Sequence, residues 1–414
     1  MPELKPFKGI RYSSSAELKD LVCPPYDVIS PDEQALLHER HPNNAVRLEL
    51  ARPDEGAEKY RNAADAFREW TAQGVLTHDD SPSLYIYRQD FTSADGTRHR
   101  VAGVIGALEL EPFGDDSGVL PHEKTMAGPK QDRLDLMRAL RMNVSPIYAI
   151  YRGAGGLAPF IDGLENRPPE ARVADDAGVL HRMWVITAPA EVEMLTDAIR
   201  PGPLVIADGH HRYETALAYH QELGDAEGDH STIMCLCVDA DVEGLVVLPY
   251  NRAVRSGAAP SEVTARLRDT FGARSLDGTP HEDALQSSAA DHPLVFVTEN
   301  DSLLVEVSDA DVVAAVGDRH PAWRALDVVA LHQAVLPKLV PEGVDDLSFS
   351  KDPDAIRKLV SEGWTFGALL RAISAAQIVD VAGSGERMPQ KASYFWPKAL
   401  TGLVFHSLGK EEPS

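Results

Sequence analysis

The sequence has little cysteine: three cysteines among 414 residues exclude a fold that depends on a framework of disulfides. Cys235 and Cys237 lie two positions apart in an apolar segment typical of a strand, so both side chains should point to the same face. Further ligands at metal-binding spacing are missing around them. We therefore interpret this pair as part of a buried core face rather than as a metal site.

Long apolar runs and an excess of positive charge are also missing. No run is long enough to span a bilayer, and residues 1–6 lack the apolar region of a signal peptide, so we expect a cytoplasmic protein without a membrane partner. The formal net charge of −24 disfavours duplex nucleic acid, because contacts to phosphates dominate such binding. A local basic patch can still bind a small anion such as a nucleotide.

The chain is too long for one ordinary domain, and about two or three are expected. Strand-like and helix-like segments follow one another along it, which predicts an α/β (α+β) protein. We expect an N-terminal α+β region over residues 1–115, a catalytic core over residues 116–250, and a C-terminal α+β region over residues 251–414 that contributes a basic and aromatic loop.

Two segments of the first region carry simple local predictions. Residues 83–89 and 99–109 predict two strands, and the Asp95-Gly96 pair between them is typical of a hairpin turn. Apolar residues alternate with charged ones from Val46 to Leu50, which predicts a further strand.

The most informative stretch passes from a strand through a turn into a helix. Leu204 to Ala207 is a short apolar run typical of a buried strand, Asp208-Gly209-His210-His211 interrupts it, and a helical pattern starts at Arg212. The start of a helix presents free backbone N–H groups and a positive dipole end, which favour phosphate. Gly209 lets a ligand approach the backbone, and Arg212 can add a bidentate hydrogen bond to a phosphate oxygen.

A purely structural interpretation of this turn is also open. Asp208 can cap the helix, Gly209 can make the turn, and the histidines can be solvated. Adjacent histidines followed by an arginine repel one another when protonated and have no evident packing use, so a functional site is favoured. Neighbouring residues at a helix start point about 100° apart, and we expect only one of His210 and His211 to face the ligand.

The second informative stretch is Pro121-His122-Glu123-Lys124-Thr125, a polar loop between a strand and a helical run over residues 130–142. Glu123 is the natural candidate for a general base, with His122 and Thr125 as substrate contacts. The alternative is a solvated acid–base pair at the start of a helix, which this stretch alone favours.

A third stretch, residues 385–398, combines Arg387, Lys391 and Lys398 with Ser393 and three consecutive aromatics. A basic and aromatic loop is unusual in a chain this acidic, and it can close over an anion. The alternative, at even weight, is a surface loop whose aromatics pack on a neighbouring domain.

Near the N-terminus, residues 23–31 contain three prolines in nine positions, which fixes a stiff path for the backbone. A rigid connector is slightly favoured there. The functional alternative is the wall of a pocket, with Tyr26 and Asp27 as polar contacts to a substrate.

Three motifs resemble, in this order, those of the ParB/sulfiredoxin-like superfamily, and within it most closely the free serine kinases: Pro121-His122-Glu123, Asp208-Gly209-His210-His211-Arg212 and Pro389-Gln390-Lys391-Ala392-Ser393. The whole chain resembles a large bacterial family of unassigned function that carries an Ala-Asp-Gly-His-His-Arg-Tyr-Glu-Thr-Ala-Leu motif. Two departures from the kinase pattern concern the third motif, where Gln390 is inserted and Ala392 stands where a hydroxyl residue is common.

The resemblance implies a ParB/sulfiredoxin-like core and a role for each motif. Glu123 would take the proton from a substrate hydroxyl, and His210, His211 and Arg212 would stabilise charge on the transferred phosphoryl group, with Mg²⁺ beside the phosphates. The candidate contacts to a nucleotide, ATP or ADP, are Asp208, Gly209, His210, His211, Arg212 and Lys391. The candidate contacts to the substrate are His122, Thr125, Tyr26, Asp27, Arg387 and Ser393.

The leading expectation is a nucleotide-dependent phosphotransferase that acts on a small hydroxylated metabolite, with free L-serine first. The alternatives are a phosphatase on a small phosphomonoester such as phosphoserine, and a nucleotide-binding switch of the ParB type. Glu123 discriminates between enzyme and switch, because only an enzyme needs it for turnover. The sequence leaves the metal ligands and the oligomeric state open, and an oligomer is allowed.

Overall fold

A computed structural model gives the fold of residues 3–409, apart from 16, 53–55, 57, 94, 115, 124–126 and 154, and apart from the side chains of 127–129. Contacts divide the chain into two compact units. The first unit consists of Met1–Pro121, Thr125–Leu245 and Pro397–Ser414, and the second consists of His122–Lys124 and Val246–Trp396. The predicted region boundaries at residues 115 and 250 stay predictions.

Strands and helices follow one another along the described residues, which confirms the predicted α/β class. The strands are β1 (Leu4–Lys5), β2 (Gly9–Tyr12), β3 (Leu76–His78), β4 (Leu84–Thr92), β5 (Arg98–Glu109), β6 (Val119–Pro121), β7 (Met142–Asn143), β8 (Ile147–Tyr151), β9 (Ala171–Ala174), β10 (Leu180–Ile186), β11 (Leu204–Asp208), β12 (Thr232–Asp239), β13 (Val246–Pro249), β14 (Asn251–Arg255), β15 (Arg274–Ser275), β16 (His292–Val297), β17 (Ser302–Val307), β18 (Asp346–Ser350), β19 (Phe366–Leu369), β20 (Ser393–Trp396) and β21 (Phe405–Ser407).

The α-helices are α1 (Leu18–Leu21), α2 (Pro31–Arg40), α3 (Val46–Glu49), α4 (Lys59–Ala72), α5 (Ala127–Leu140), α6 (Ala158–Gly163), α7 (Pro189–Ile199), α8 (His210–Leu223), α9 (Pro260–Phe271), α10 (His281–Ser287), α11 (Asp309–Val316), α12 (Pro321–Arg324), α13 (Asp327–Val329), α14 (Leu336–Leu339), α15 (Pro353–Ser361) and α16 (Ala375–Gly383). Tyr26–Val28 and Leu164–Asn166 form short 3₁₀ turns, and Ala330–Val335 forms a π-helical turn. Among the described residues, no helix has the length and apolar character needed to cross a membrane.

The first unit is built on a mixed sheet in the order β6-β11-β8-β12-β5-β4-β10-β9, with β1 added beside β5. Strand β12 lies between β5 and β8, and every one of its residues is buried, as expected for an apolar strand covered on both faces. Cys235 and Cys237 are fully buried within it, which confirms the interpretation of this pair as core. A smaller sheet in the same unit has the order β3-β2-β21-β7.

The predicted hairpin is confirmed as the antiparallel pair β4–β5. Gly96 lies in its turn with a φ of 85°, a backbone conformation that favours glycine. The Asp95 carboxylate accepts a hydrogen bond from the backbone N–H of Thr97 at 3.0 Å and fixes the turn.

The strand predicted from Val46 to Leu50 is wrong, because these residues form helix α3. The side chain of Asn44 accepts a hydrogen bond from the backbone N–H of Val46 at 2.9 Å, which turns the chain into the helix. Val46, Leu48 and Glu49 are all buried, so the alternation of apolar and charged residues does not separate a buried face from an exposed one. A pattern of five residues is too short to distinguish the two periods.

The second unit contains a six-stranded sheet in the order β15-β17-β16-β19-β14-β18 and a separate two-stranded sheet of β13 and β20. Its apolar core gathers residues of β14, β16, β17 and β19 with helices α10 and α15. The two-stranded sheet places part of the predicted basic and aromatic stretch, Ser393–Trp396, beside Val246–Pro249.

Candidate functional site

The central turn forms where β11 ends at Asp208 and helix α8 begins at His210. Gly209 between them has a φ of 89°. A Cβ atom added to Gly209 would lie 2.8 Å from the Ile147 side chain and 3.0 Å from Nε of Arg212. Gly209 is therefore required by its own backbone conformation and by the side chains that already crowd it, rather than only by the approach of a ligand.

Asp208 does not cap helix α8, because its carboxylate is used by two basic side chains. Oδ2 of Asp208 accepts from Nη2 of Arg212 at 2.5 Å, and Oδ1 accepts from Nζ of Lys398. Burial alone would raise the pKa of Asp208, but the charges of Lys398 and Arg212 outweigh it and hold that pKa well below its ordinary value. Two cations thus share one carboxylate beside the turn.

Arg212 is buried and held from a second side as well. Its Nη1 donates to the carbonyl oxygen of Pro146 at 2.5 Å and to Oγ of Ser145 at 3.2 Å. Burial would lower the pKa of Arg212, but the carboxylates of Asp208, Asp27 and Glu49 raise it. The guanidinium is therefore a fixed positive charge, and its Nε is buried without a hydrogen-bond partner in the described part of the chain.

A chain of hydrogen bonds joins Arg212 to the proline-rich N-terminal stretch within the first unit. The hydroxyl of Ser145 donates to Oε1 of Glu49 at 3.0 Å, and the same oxygen accepts from the backbone N–H of Tyr26 at 3.2 Å. The Arg133 guanidinium lies 4.3 Å from the centre of the Tyr26 ring. Burial raises the pKa of Tyr26 to about 12. Residues 23–31 are thus tied to the central turn.

Three members of this network were not among the predicted site residues. Glu49 and Ser145 were missed because their roles depend on contacts far along the sequence. For Lys398, the sequence offers one indication of a role in the site, which is a basic residue that directly follows the aromatic run and Pro397. By contrast, the carboxylate of Asp27 is exposed and reaches Arg212 only through its charge.

The two histidines of the turn have different surroundings. His210 is buried at 4% exposure, whereas His211 is partly exposed. This difference agrees with their position on successive residues of a helix start, which point in different directions. That only one of the two faces a ligand stays a prediction.

In the second unit, the Pro-His-Glu loop pairs with the third predicted stretch. The backbone N–H of Met388 donates to the carbonyl oxygen of His122 at 2.8 Å, and the backbone N–H of Lys391 donates to Oε2 of Glu123 at 3.1 Å. Nε2 of the buried His122 lies 3.1 Å from Oγ of Ser393. The fold therefore brings together two distant stretches, since Glu123 and Lys391 are 268 positions apart in the sequence.

The loop around Lys391 has a strained backbone and is held by hydrogen bonds from Arg252. Lys391 has a φ of 55°, a left-handed conformation that is rare outside glycine. Nη2 of Arg252 donates to the carbonyl oxygens of Lys391 at 2.9 Å and Gln390 at 3.4 Å. Arg252 is completely buried, and burial lowers its pKa to about 9, against the effect of the Glu123 charge. His332, in the π-helical turn, lies 3.3 Å from Nε of Arg252.

The aromatic residues of the third stretch face cations within the second unit. Nζ of Lys351 lies 3.9 Å from the centre of the Trp396 ring and 4.8 Å from that of Tyr394. Nζ of Lys391 lies 5.3 Å from the Tyr250 ring, which meets Tyr394 edge to face. The stretch is therefore basic and aromatic in space as well as in sequence.

Two further predicted residues are Arg387 and Thr125. Arg387 is exposed, and its carbonyl oxygen accepts from the indole N–H of Trp323 at 3.0 Å. Thr125 lies outside the described residues. In the described ranges, no group of three or more His, Cys, Asp or Glu is arranged to hold a metal ion.

A family model described as "Protein of unknown function (DUF1015)" matches residues 4–329, which is more than half of the chain. The chain belongs to this family. The match begins in the first unit and extends into the second, so the DUF1015 region contains both the Asp208 turn and the His122–Glu123 loop. Among curated proteins, none matches the chain.

Three solved structures show a distant likeness to this DUF1015 member. A mutant free serine kinase in complex with ADP is 14% identical with a TM-score of 0.35, and the alignment covers 69% of this chain and 87% of the kinase. SbnI with C-terminal truncation from Staphylococcus aureus is 11% identical with a TM-score of 0.37, covering 72% and 85%. A conserved hypothetical protein from Pyrococcus furiosus is 13% identical with a TM-score of 0.33, covering 69% and 92%.

Proposed function

We propose that this chain is a nucleotide-dependent phosphotransferase that acts in the cytoplasm on a small hydroxylated metabolite, with free L-serine as the first candidate. ATP or ADP is the donor, and a ParB/sulfiredoxin-like core carries the reaction. The sequence motifs suggest this activity, and the contacts of the residues in those motifs support it. No membrane and no duplex nucleic acid take part.

The observation that carries the proposal is the hydrogen bond from the backbone N–H of Lys391 to Oε2 of Glu123 at 3.1 Å. A general base must be held in a fixed direction to accept a proton from a hydroxyl, and a backbone donor to one carboxylate oxygen fixes the direction of the whole group. The neighbouring pair of His122 and Ser393, at 3.1 Å, supplies polar groups for a small substrate. Glu123 is therefore the proposed base.

The phosphate end of the proposed reaction is the turn at residues 208–212. Arg212 and Lys398 bring two positive charges to the carboxylate of Asp208 at the start of a 14-residue helix. Such an arrangement favours a phosphate group. Because both Nη atoms of Arg212 already donate within the protein, we assign Arg212 a role through its charge. One of the two histidines of the turn, His210 or His211, is the proposed direct contact.

Mg²⁺ fits this proposal only as an ion that binds together with the phosphates of the nucleotide. The carboxylates of the two clusters are engaged, Asp208 by Lys398 and Arg212 and Glu123 by Lys391. Mg²⁺ is commonly held by substrate phosphates with one or two carboxylates rather than by a cage of protein ligands. The ion would neutralise phosphate charge, and the residues of this chain would orient the phosphates and the acceptor.

Phosphorus NMR tests the proposed reaction. The protein with Mg²⁺ is incubated with ATP or ADP, each with and without L-serine, and separately with phosphoserine alone. A new phosphomonoester signal that requires both serine and nucleotide is the expected result, and it identifies the donor. Release of inorganic phosphate from phosphoserine alone would contradict the kinase activity and support a phosphatase activity instead. Nucleotide binding without turnover of any alcohol in a panel of small alcohols would contradict an enzymatic function and support a nucleotide-binding switch.

A further inference from the structure

A second cluster of basic residues lies in the first unit, on the sheet formed by β9, β10, β4 and β5. Three arginines stand directly opposite one another across these strands: Arg172 on β9 pairs with Arg182 on β10, and Arg182 pairs with Arg88 on β4. Residues opposite each other on antiparallel strands point to the same face, and like charges in this position destabilise the pairing. The row therefore requires negative charge nearby.

The carboxylates of the protein satisfy this requirement only in part. Asp90 and Glu165 accept from Arg88 at 2.7 and 2.9 Å, and Glu165 also pairs with Arg100 at 2.9 Å. The closest ion pair of Arg182 is longer, with Nη2 at 3.8 Å from Asp90. Nε of Arg182 is buried and has no hydrogen-bond partner among the described residues.

These side chains line an open cleft of about 780 Å³. A cleft of roughly 300–1,000 Å³ is the usual size of a small-molecule site. Its lining contains four arginines, which are Arg88, Arg98, Arg100 and Arg182, against three carboxylates. In a chain with a net charge of −24, this local excess of positive charge is a distinct feature.

The cleft is lined by closely packed backbone and by stacked rings on neighbouring strands. A Cβ atom on Gly244 would lie 1.7 Å from the carbonyl oxygen of Arg100, so the 243–244 loop packs its bare backbone directly on β5. Phe91 and His99 stack with ring centres 5.0 Å apart on the adjoining strands. Side chains alternate along a strand, so these two rings lie on the sheet face opposite to Arg88 and Arg100. What the cleft offers is guanidinium donors, which bind carboxylate or phosphate oxygens in pairs.

We propose that this arginine cleft binds a small organic anion, carrying a phosphate or at least two carboxylates, through Arg182 and Arg98. The anion supplies the negative charge that the row of arginines lacks, and it contacts Arg182 through the part of the side chain that is exposed. The cleft contains none of the residues assigned to phosphoryl transfer, so this proposal stands apart from the proposed function.

Isothermal titration calorimetry of the full chain tests the proposal with pyrophosphate and citrate as separate probes. At least one probe should bind the unaltered protein, and the one that binds identifies the anionic group. Arg182→Gln should weaken binding about tenfold or more, because it removes a charge-assisted interaction with the anion. Arg98 lies at an exposed position of the lining, so Arg98→Gln should lower the affinity for the same probe without affecting the fold.

The matched control is Arg200→Gln, an exposed arginine just after α7 that pairs with Asp197 away from the cleft lining. It should leave the affinity within about twofold, since a surface ion pair has little effect on a distant site. Failure of both probes to bind at millimolar concentration would overturn the proposal. Binding that survives both Arg182→Gln and Arg98→Gln would overturn it as well, by assigning the probe to another site such as the 208–212 turn.

Discussion

Lys398 donates a hydrogen bond to Oδ1 of Asp208 across 190 positions of sequence, while Arg212 binds the other oxygen of the same carboxylate. This contact fastens the segment after the aromatic run to the central turn within the first unit. All three side chains are largely buried, so the cluster stabilises the turn only while Asp208 is ionised.

Asp208→Asn should destabilise the protein by about 3–5 kcal/mol, because it removes the buried carboxylate that both Lys398 and Arg212 contact. Chemical denaturation followed by circular dichroism measures this loss. Asp197→Asn, which breaks an exposed pair with Arg200, is the control and should change the free energy of unfolding by less than about 1 kcal/mol. Equal losses in the two variants would show that the buried cluster contributes no more to the free energy of unfolding than an exposed ion pair does.

Gly209→Ala should be destabilising for two separate reasons, backbone strain at a φ of 89° and crowding against Ile147 at 2.8 Å. Strain of this kind is worth about 1–3 kcal/mol. Gly74→Ala is a matched control, since Gly74 has a φ of 70° and an added Cβ would meet no atom within 4 Å. The difference between the two free energies of unfolding measures the crowding. A smaller loss for Gly209→Ala than for Gly74→Ala would contradict the packing described at the turn.

The stability of the protein should fall as the pH is lowered from about 6.5 to 4, because burial lowers the pKa of His406 to about 4. The unfolded chain, with an ordinary histidine pKa of about 6.5, binds the proton first. This contribution is fully present above pH 6.5 and lost as the pH falls through the folded value.

His406→Gln should remove up to about 3 kcal/mol of this pH dependence, because a difference of one pH unit between the folded and unfolded pKa values corresponds to about 1.36 kcal/mol. Urea denaturation at pH 7 and pH 4.5 compares the two proteins. His78→Gln, at an exposed histidine on β3, serves as the control for the loss of a histidine, and the change in slope should be larger for His406→Gln. The same slope for the unaltered protein and for His406→Gln would rule out His406 as its source.

Arg252→Gln should loosen the loop that presents Lys391 to Glu123, because Arg252 holds the carbonyl oxygens of Gln390 and Lys391. Hydrogen exchange followed by mass spectrometry should then show faster uptake in the peptide over residues 388–393. Arg252→Lys keeps a charged donor and should exchange at an intermediate rate. The strand β17, which does not pair with the strand of Arg252, provides an internal reference, and equal acceleration there would indicate general destabilisation instead.

The local features of the candidate site follow from sequence, because they depend on neighbouring residues. An apolar run before Asp208-Gly209 predicts the strand and the turn, and the Asp95-Gly96 pair predicts the hairpin. The strand predicted at α3 was wrong because its pattern of five residues fits both a strand and a helix.

The long-range contacts do not follow from sequence in the same way. The partnership of Lys398 with Asp208 and that of Glu123 with Lys391 depend on how strands far apart in the chain are ordered in their sheets. The burial of Glu49 beneath Tyr26 and Ser145 likewise requires the packed structure. Such pairings are set by tertiary packing, which no local pattern encodes.

The measurement that tests the central claim most directly is phosphoryl transfer to L-serine by Glu123→Gln, with nucleotide affinity measured on the same preparation. The amide of glutamine still accepts the hydrogen bond from Lys391, so the variant removes the base while keeping the loop contact. The rate should fall about 10²–10⁴-fold, with nucleotide affinity within about threefold and with Glu362→Gln, an exposed control, unchanged. An unchanged rate in Glu123→Gln would contradict the assignment of Glu123 as the base.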